Sequence, residues 1–150
     1  MFRLSKLADY GTVILSFMAR QPERTYSAAE LAGEVGIGVP TASKVLKQLA
    51  RSALVQSLRG THGGYLLARR PEAIALTDVI EALDGPISAT ECGIGTGVCR
   101  SETSCRLRGN WRRLGRVIRQ TLAEVSVADF ARNDYRPRFA GRAADEEDSP

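Results

Sequence analysis

The sequence predicts a mostly α-helical fold with one small β-hairpin: a winged helix-turn-helix followed by a long helix. Three observations predict it. Apolar residues recur at helical spacing through most of the first fifty positions. A short alternating stretch at 55–67 is interrupted by a glycine-rich turn, as in a hairpin. Near 108–123 an arginine-rich segment carries a single bulky apolar stripe, the pattern of a helix with one face committed to a neighbour.

The elements follow in order. Leu7, Tyr10, Ile14, Phe17 and Met18 predict an amphipathic helix over 6–20, ended before Pro22. Ser27 and Glu30 form a capping box that opens a helix over 28–35, and Gly36 and Gly38 stop it. Pro40 suits the first turn of the next helix, over 41–51, with Val45, Leu46 and Leu49 on one face. Two short helices joined by a tight glycine turn are a helix-turn-helix signature, and also that of an ordinary helical hairpin. A strand at 55–58, a turn at 59–64 and a return strand at 65–67 add the wing. Thr77 is positioned to cap a helix over 78–84, closed by Gly85 and Pro86. Trp111, Leu114, Ile118 and Leu122 define the stripe of the long helix over 108–123, and Ser126 with Asp129 caps a last short helix. From about 136 onward the absence of periodicity predicts a disordered tail. The divisions are therefore a head at 1–86, a cysteine-containing loop at 87–106, a long helix with a short one at 107–131, and a tail at 132–150.

Composition narrows the functional classes. With 150 residues, 43 % of them hydrophobic, the chain has the size of one globular unit. No apolar run reaches the roughly 20 residues that span a bilayer, and the first residues lack a secretory leader. A cytoplasmic protein with no membrane partner is expected. The net charge of +4 is modest, but six arginines and no acid lie between Arg106 and Arg119, while Asp145 to Asp148 are all acidic. Local basic surface suits a polyanion, or simply water. One histidine, no phosphate-cradling loop and no dinucleotide fingerprint argue against an enzyme and against a small-molecule substrate.

The cysteines carry the sharpest signal. Cys92, Cys99 and Cys105 are the only three in the chain, and all fall among Gly, Ser and Thr within fifteen residues that read as exposed loop. In a reducing compartment an odd, clustered set points to metal or redox chemistry rather than to a disulfide framework. Soft thiolates suit zinc or an iron-sulfur cluster, although the long, unequal spacings fit zinc knuckles poorly. Thiol oxidation without any cluster is the competing reading. A module that carries a cluster or zinc and never meets DNA is a further alternative. If the head does read DNA, Thr41, Ser43, Lys44 and Lys47 are the residues its second helix offers, and Arg59 and His62 are donors at the wing tip. Arg69 and Arg70 suit phosphate or solvent equally.

These residues resemble the Rrf-type winged-helix regulators of bacteria, the IscR- and NsrR-like family. The matching text is 4–10, 38–46, the wing 59–69 and the three-cysteine loop. Arg108-Gly-Asn-Trp111 is similar to the branch that regulates the SUF iron-sulfur assembly operon. The resemblance covers about residues 1–130 and implies a homodimer with crossing long helices, a double-stranded DNA operator as partner, and repression of that operon. It also implies an iron-sulfur cluster held by Cys92, Cys99 and Cys105. The IscR-like histidine, three residues past the last cysteine, is Arg108 here. The NsrR-like aspartate, supplied by the other chain, falls on Asp9, which favours a 4Fe-4S cluster over the 2Fe-2S alternative. Without a metal, Asp9 is a first-turn carboxylate that complements the helix dipole.

Overall fold

The computed structural model describes residues 3–133; the predicted tail, from 134 on, lies outside the described residues. Helix α1 (Lys6–Met18) opens on Ser5, whose hydroxyl accepts the Ala8 N–H at 3.1 Å, so the cap residue directly precedes the apolar stripe. Helix α2 (Ala28–Val35) opens on Ser27, which accepts from Glu30 N–H at 3.0 Å, and ends on Gly36 in the left-handed conformation. Helix α3 (Val39–Arg51) begins two residues earlier than the periodicity predicts, with Pro40 in its first turn.

Strands β1 (Val55–Leu58) and β2 (Gly64–Leu67) pair antiparallel, Val55 opposite Leu67 and Leu58 opposite Gly64. Tyr26 extends this ribbon by exchanging backbone hydrogen bonds with Tyr65 at 2.8 and 2.7 Å. Gly64 is required there. Its φ is +149°, and a Cβ at this position would stand 2.3 Å from the Tyr26 carbonyl oxygen.

A short 3-10 turn (Pro71–Ala73) leads to α4 (Leu76–Asp84). The expected Thr77 cap is not what the chain uses. Ala75 is the capping residue, its N–H donating to Asp78 Oδ2 at 3.1 Å, and Thr77 lies buried as the second residue of the helix. The reason is a backbone bridge between Ala75 and Ser126, which holds Ala75 extended and starts the helix after it.

The cysteine region contains a four-residue helix α5 (Glu91–Ile94), followed by α6 (Arg108–Ala123) and α7 (Val127–Arg132). Ser126 caps α7 through Asp129, as its spacing predicts.

One core unites α1, α2, α3, the ribbon and α4: Ile14, Leu15, Met18, Leu31, Val45, Leu46, Leu49, Leu54, Val79 and Leu83 bury together. Complete burial of one such side chain contributes about 1.5–3 kcal/mol. Val127 from α7 joins the same core. A smaller cluster of Leu76, Ile80 and Val125, with Leu122 against it, docks the end of α6. Helix α1 crosses α4 closely at Gly11, where a Cβ would meet Leu83 at 2.3 Å.

Candidate nucleic-acid interface and cysteine centre

The apolar face of α3 turns into the core, which leaves its opposite face to solvent. Ala42, Val45, Leu46 and Leu49 are buried, while Lys44 and Lys47 are exposed and Thr41 and Ser43 half-buried. Residues 52–54 run directly into β1, so the wing is the next element of the same head. Arg59, Thr61 and His62 stand exposed at its tip. Among the described residues, Lys44, Lys47, Arg59 and His62 have no ion-pair partner. Uncompensated lysine and arginine charge on a helix and an adjoining ribbon can meet phosphates without first giving up an internal carboxylate.

Arg69 and Arg70 differ from these: Arg69 pairs with Asp78 at 3.5 Å and Arg70 with Glu72 at 3.9 Å. Their charge is already matched within the head.

The cysteine region corrects the expectation of an exposed loop. Cys92 is 6 % exposed, on α5, with its Sγ 3.0 Å from Thr90 Oγ1; Cys99 and Cys105 are half-buried. Helix α5 packs tightly because Gly93 lies against Ser88, where a Cβ would stand 2.0 Å from the hydroxyl. All three cysteines are free thiols. Among the described residues, no three His, Cys, Asp or Glu side chains are grouped closely enough to hold a metal ion. The donors suit a soft metal in kind, and the loop has to close for them to converge.

Asp9 stands exposed in the first turn of α1, beside an open hollow lined by Arg3, Ser5, Lys6 and Asp84. It is not brought to the cysteines of its own chain.

Two arginines of α6 reach back into the loop, and neither was singled out by the residue pattern. Arg108 pairs with Glu102, and Arg112 Nε donates to the Cys92 carbonyl at 3.2 Å. Glu102 is the one acid among Arg100, Arg106, Arg108, Arg112 and Arg113, a compositional hint that its charge is used. A six-residue separation spanning a loop and a helix start is not a periodic signal, so the pair itself was illegible. Farther along α6, Arg119 makes a two-pronged contact with Glu81 of α4 at 2.7 and 3.1 Å. That hydrogen-bonded carboxylate holds the guanidinium above its ordinary value, with its charge adding to the effect.

The outer face of α6 remains apolar and uncovered. Leu107, Trp111 (39 % exposed), Leu114 and Val117 all stand exposed, and Gly115 is the helix's one buried residue. Among the described residues, no helix is long and apolar enough to cross a membrane.

The sequence matches, over residues 4–133, the model of a family described as Rrf2, iron-dependent transcriptional regulator. It is 29 % identical over 141 residues to the HTH-type transcriptional regulator IscR of Klebsiella pneumoniae (strain 342), covering 93 % of this chain and 86 % of that protein. It is 30 % identical over 132 residues to IscR of Xenorhabdus nematophila, covering 87 % and 80 %. Among solved structures, CymR, the global cysteine regulator of B. subtilis, is similar with a TM-score of 0.70 and 26 % identity, over 89 % of this chain and 98 % of that one. IscR of T. potens is similar with a TM-score of 0.67 and 23 % identity over 94 % of each chain, a likeness of fold.

Proposed function

Because the chain belongs to the Rrf2 family of transcriptional regulators, we propose that it reads operator DNA as a homodimer and that an iron-sulfur cluster on the cysteine loop governs its affinity. Its relatives in sequence and fold are regulators of the IscR and CymR type, not enzymes. One observation carries the proposal: all three cysteines lie on a segment joined at one side to the reading head and at the other to α6, whose apolar face is uncovered.

Leu107, Trp111, Leu114 and Ile118 follow spacings of four, three and four, the pattern of a helix-helix seam. A second copy covers that seam by two-fold symmetry, and two heads then address two half-sites. In each head Lys44 and Lys47 hold phosphates, Thr41 and Ser43 approach the major groove, and Arg59 with His62 contacts the minor groove. Cys92, Cys99 and Cys105 hold the cluster, and the exposed Asp9 of a second copy supplies an oxygen ligand, which favours 4Fe-4S over 2Fe-2S. When bound, such a cluster would supply oxidation-sensitive iron-thiolate bonds to these cysteines. The operon controlled is one for SUF-type iron-sulfur assembly, and the site of action is the cytoplasm.

Operator affinity of the cluster-bearing and demetallated forms, compared at fixed salt, is the decisive measurement. A difference of tenfold or more supports the switch, and equal affinities would remove it. Because the thiols stand free and ungrouped, direct thiol oxidation is the second reading. A colourless, iron-free dimer whose DNA affinity responds to peroxide would establish that reading instead.

A further inference from the structure

Glu102 is 12 % exposed at its side chain, although most of its neighbours in the loop are open to solvent. Its two oxygens serve different partners. Oε2 accepts the N–H of Gly97, and Oε1 accepts from Arg108, with Arg112 Nη2 4.0 Å from the same oxygen. Arg112 uses its Nε for the carbonyl of Cys92. One carboxylate and two guanidiniums thus tie the segment before Cys99, the segment after it and the carbonyl of Cys92 to the first turns of α6.

Helix α5 is also held by the buried Cys92 and by Gly93 against Ser88, but the stretch from Gly95 to Cys105 has little else to hold it in this form. Its remaining backbone bonds are local turns, such as Glu102 N–H to Cys99 at 3.2 Å and Cys105 N–H to Ser101 at 2.9 Å. Ile94 and Val98, which could have packed it down, stand exposed. A largely desolvated carboxylate is strongly disfavoured without its cationic partners, so the Glu102 contacts act together. In the same form Arg108 Nε is buried with no acceptor. An orphaned donor of this kind marks an arrangement that a different loop position would satisfy better, and a thiolate sulfur is a suitable acceptor.

We propose that Glu102, anchored by Arg108 and Arg112, is a positioning residue that keeps the metal-free cysteine loop spread. It must release Gly97 before the three thiols converge. Loading is therefore a competition between this clasp and the metal, and the loop and the start of α6 move together. The loading half rests on the cluster reading above, whereas the clasp is a property of the metal-free chain.

The test uses the full-length metal-free protein and a chromogenic disulfide reagent that reports Cys99 and Cys105, with Trp111 emission followed in parallel. Glu102→Gln is expected to raise the labelling rate about tenfold, the scale of a lost charge-assisted hydrogen bond, and to shift the Trp111 emission. The double variant Glu102→Gln with Arg108→Gln is expected to label no faster than Glu102→Gln alone, a non-additivity that one shared clasp requires and two independent structural roles would not give. Under anaerobic iron and sulfide, Glu102→Gln is expected to load faster than wild type. Labelling of Glu102→Gln at the wild-type rate overturns the clasp. Protected thiols combined with loss of all iron uptake also overturn it, and make the carboxylate a ligand instead. Should Glu102→Gln fail to fold by far-UV circular dichroism, Arg108→Gln delivers the same readout. A wild-type chain that takes up no iron defeats the cluster reading, while the labelling rates still decide the clasp.

Discussion

The reading head and the cysteine limb are held by different forces. In the head, side chains of five elements bury against one another, and the polar contacts, helix caps and ion pairs such as Arg69 with Asp78, lie around that core. In the limb, Ile94, Val98, Leu107, Trp111, Leu114 and Val117 are left exposed, and charged pairs around Glu102 and between Arg119 and Glu81 do the holding. Apolar packing specifies one arrangement, whereas ion pairs and uncovered apolar surface leave the arrangement open to a ligand or a second chain. The rigid part is the winged-helix head, and the part whose arrangement can be changed is the cysteine limb.

Five substitutions would sharpen or break that contrast. Leu46→Ala, in the centre of the head, is expected to cost about 2–5 kcal/mol in urea unfolding, because a fully buried leucine leaves a cavity that neighbours fill only partly. A similar loss from Leu114→Ala would erase the distinction. Leu114→Asp should instead leave the unfolding of the head unchanged and, in sedimentation, yield a monomer where the proposed dimer forms. Arg59→Ala is expected to weaken specific DNA binding by about 1–3 kcal/mol in a fluorescence titration without moving the melting temperature. Lys47→Ala should lower affinity similarly for all sequences and reduce the salt slope by about one, which a titration over several salt concentrations reads directly.

The Arg119 to Glu81 strut gives the smallest effect. Its guanidinium is raised above the ordinary value, so the contribution is fully present below that value and is lost only as pH rises through the raised one, far into alkali. A melting series near neutral pH should therefore show no titration from this arginine, while added salt weakens the pair.

What was legible follows the same line. Helices α1 and α3 and the hairpin could be read from periodicity because their apolar residues answer to a core, and α6 because its bulky apolar residues fall on one stripe. Thr77 misled because Ser and Thr before an apolar run normally cap, and the competing signal, a backbone bridge from Ala75 to Ser126, is long-range. Cys92 reads as exposed from its polar flanks, yet Gly93 lets α5 lie tightly against Ser88 and bury the thiol. Glu102 and Arg108 could not be paired in advance because nothing local relates them. Family resemblance, not spacing, nominated Asp9.

The bridge between Ala75 and Ser126 also bears on how the chain is made. Leu76 N–H bonds to Val125, Val127 N–H bonds to Ile74, and Val127 seals the core of the head. A nascent chain that has emerged only as far as the wing and α4 therefore has a core that still lacks Val127. The cysteine segment and α6 must be synthesised before the reader can finish folding. A fragment cut after α4 should be less stable than its share of the core implies, and the two halves of the protein mature together.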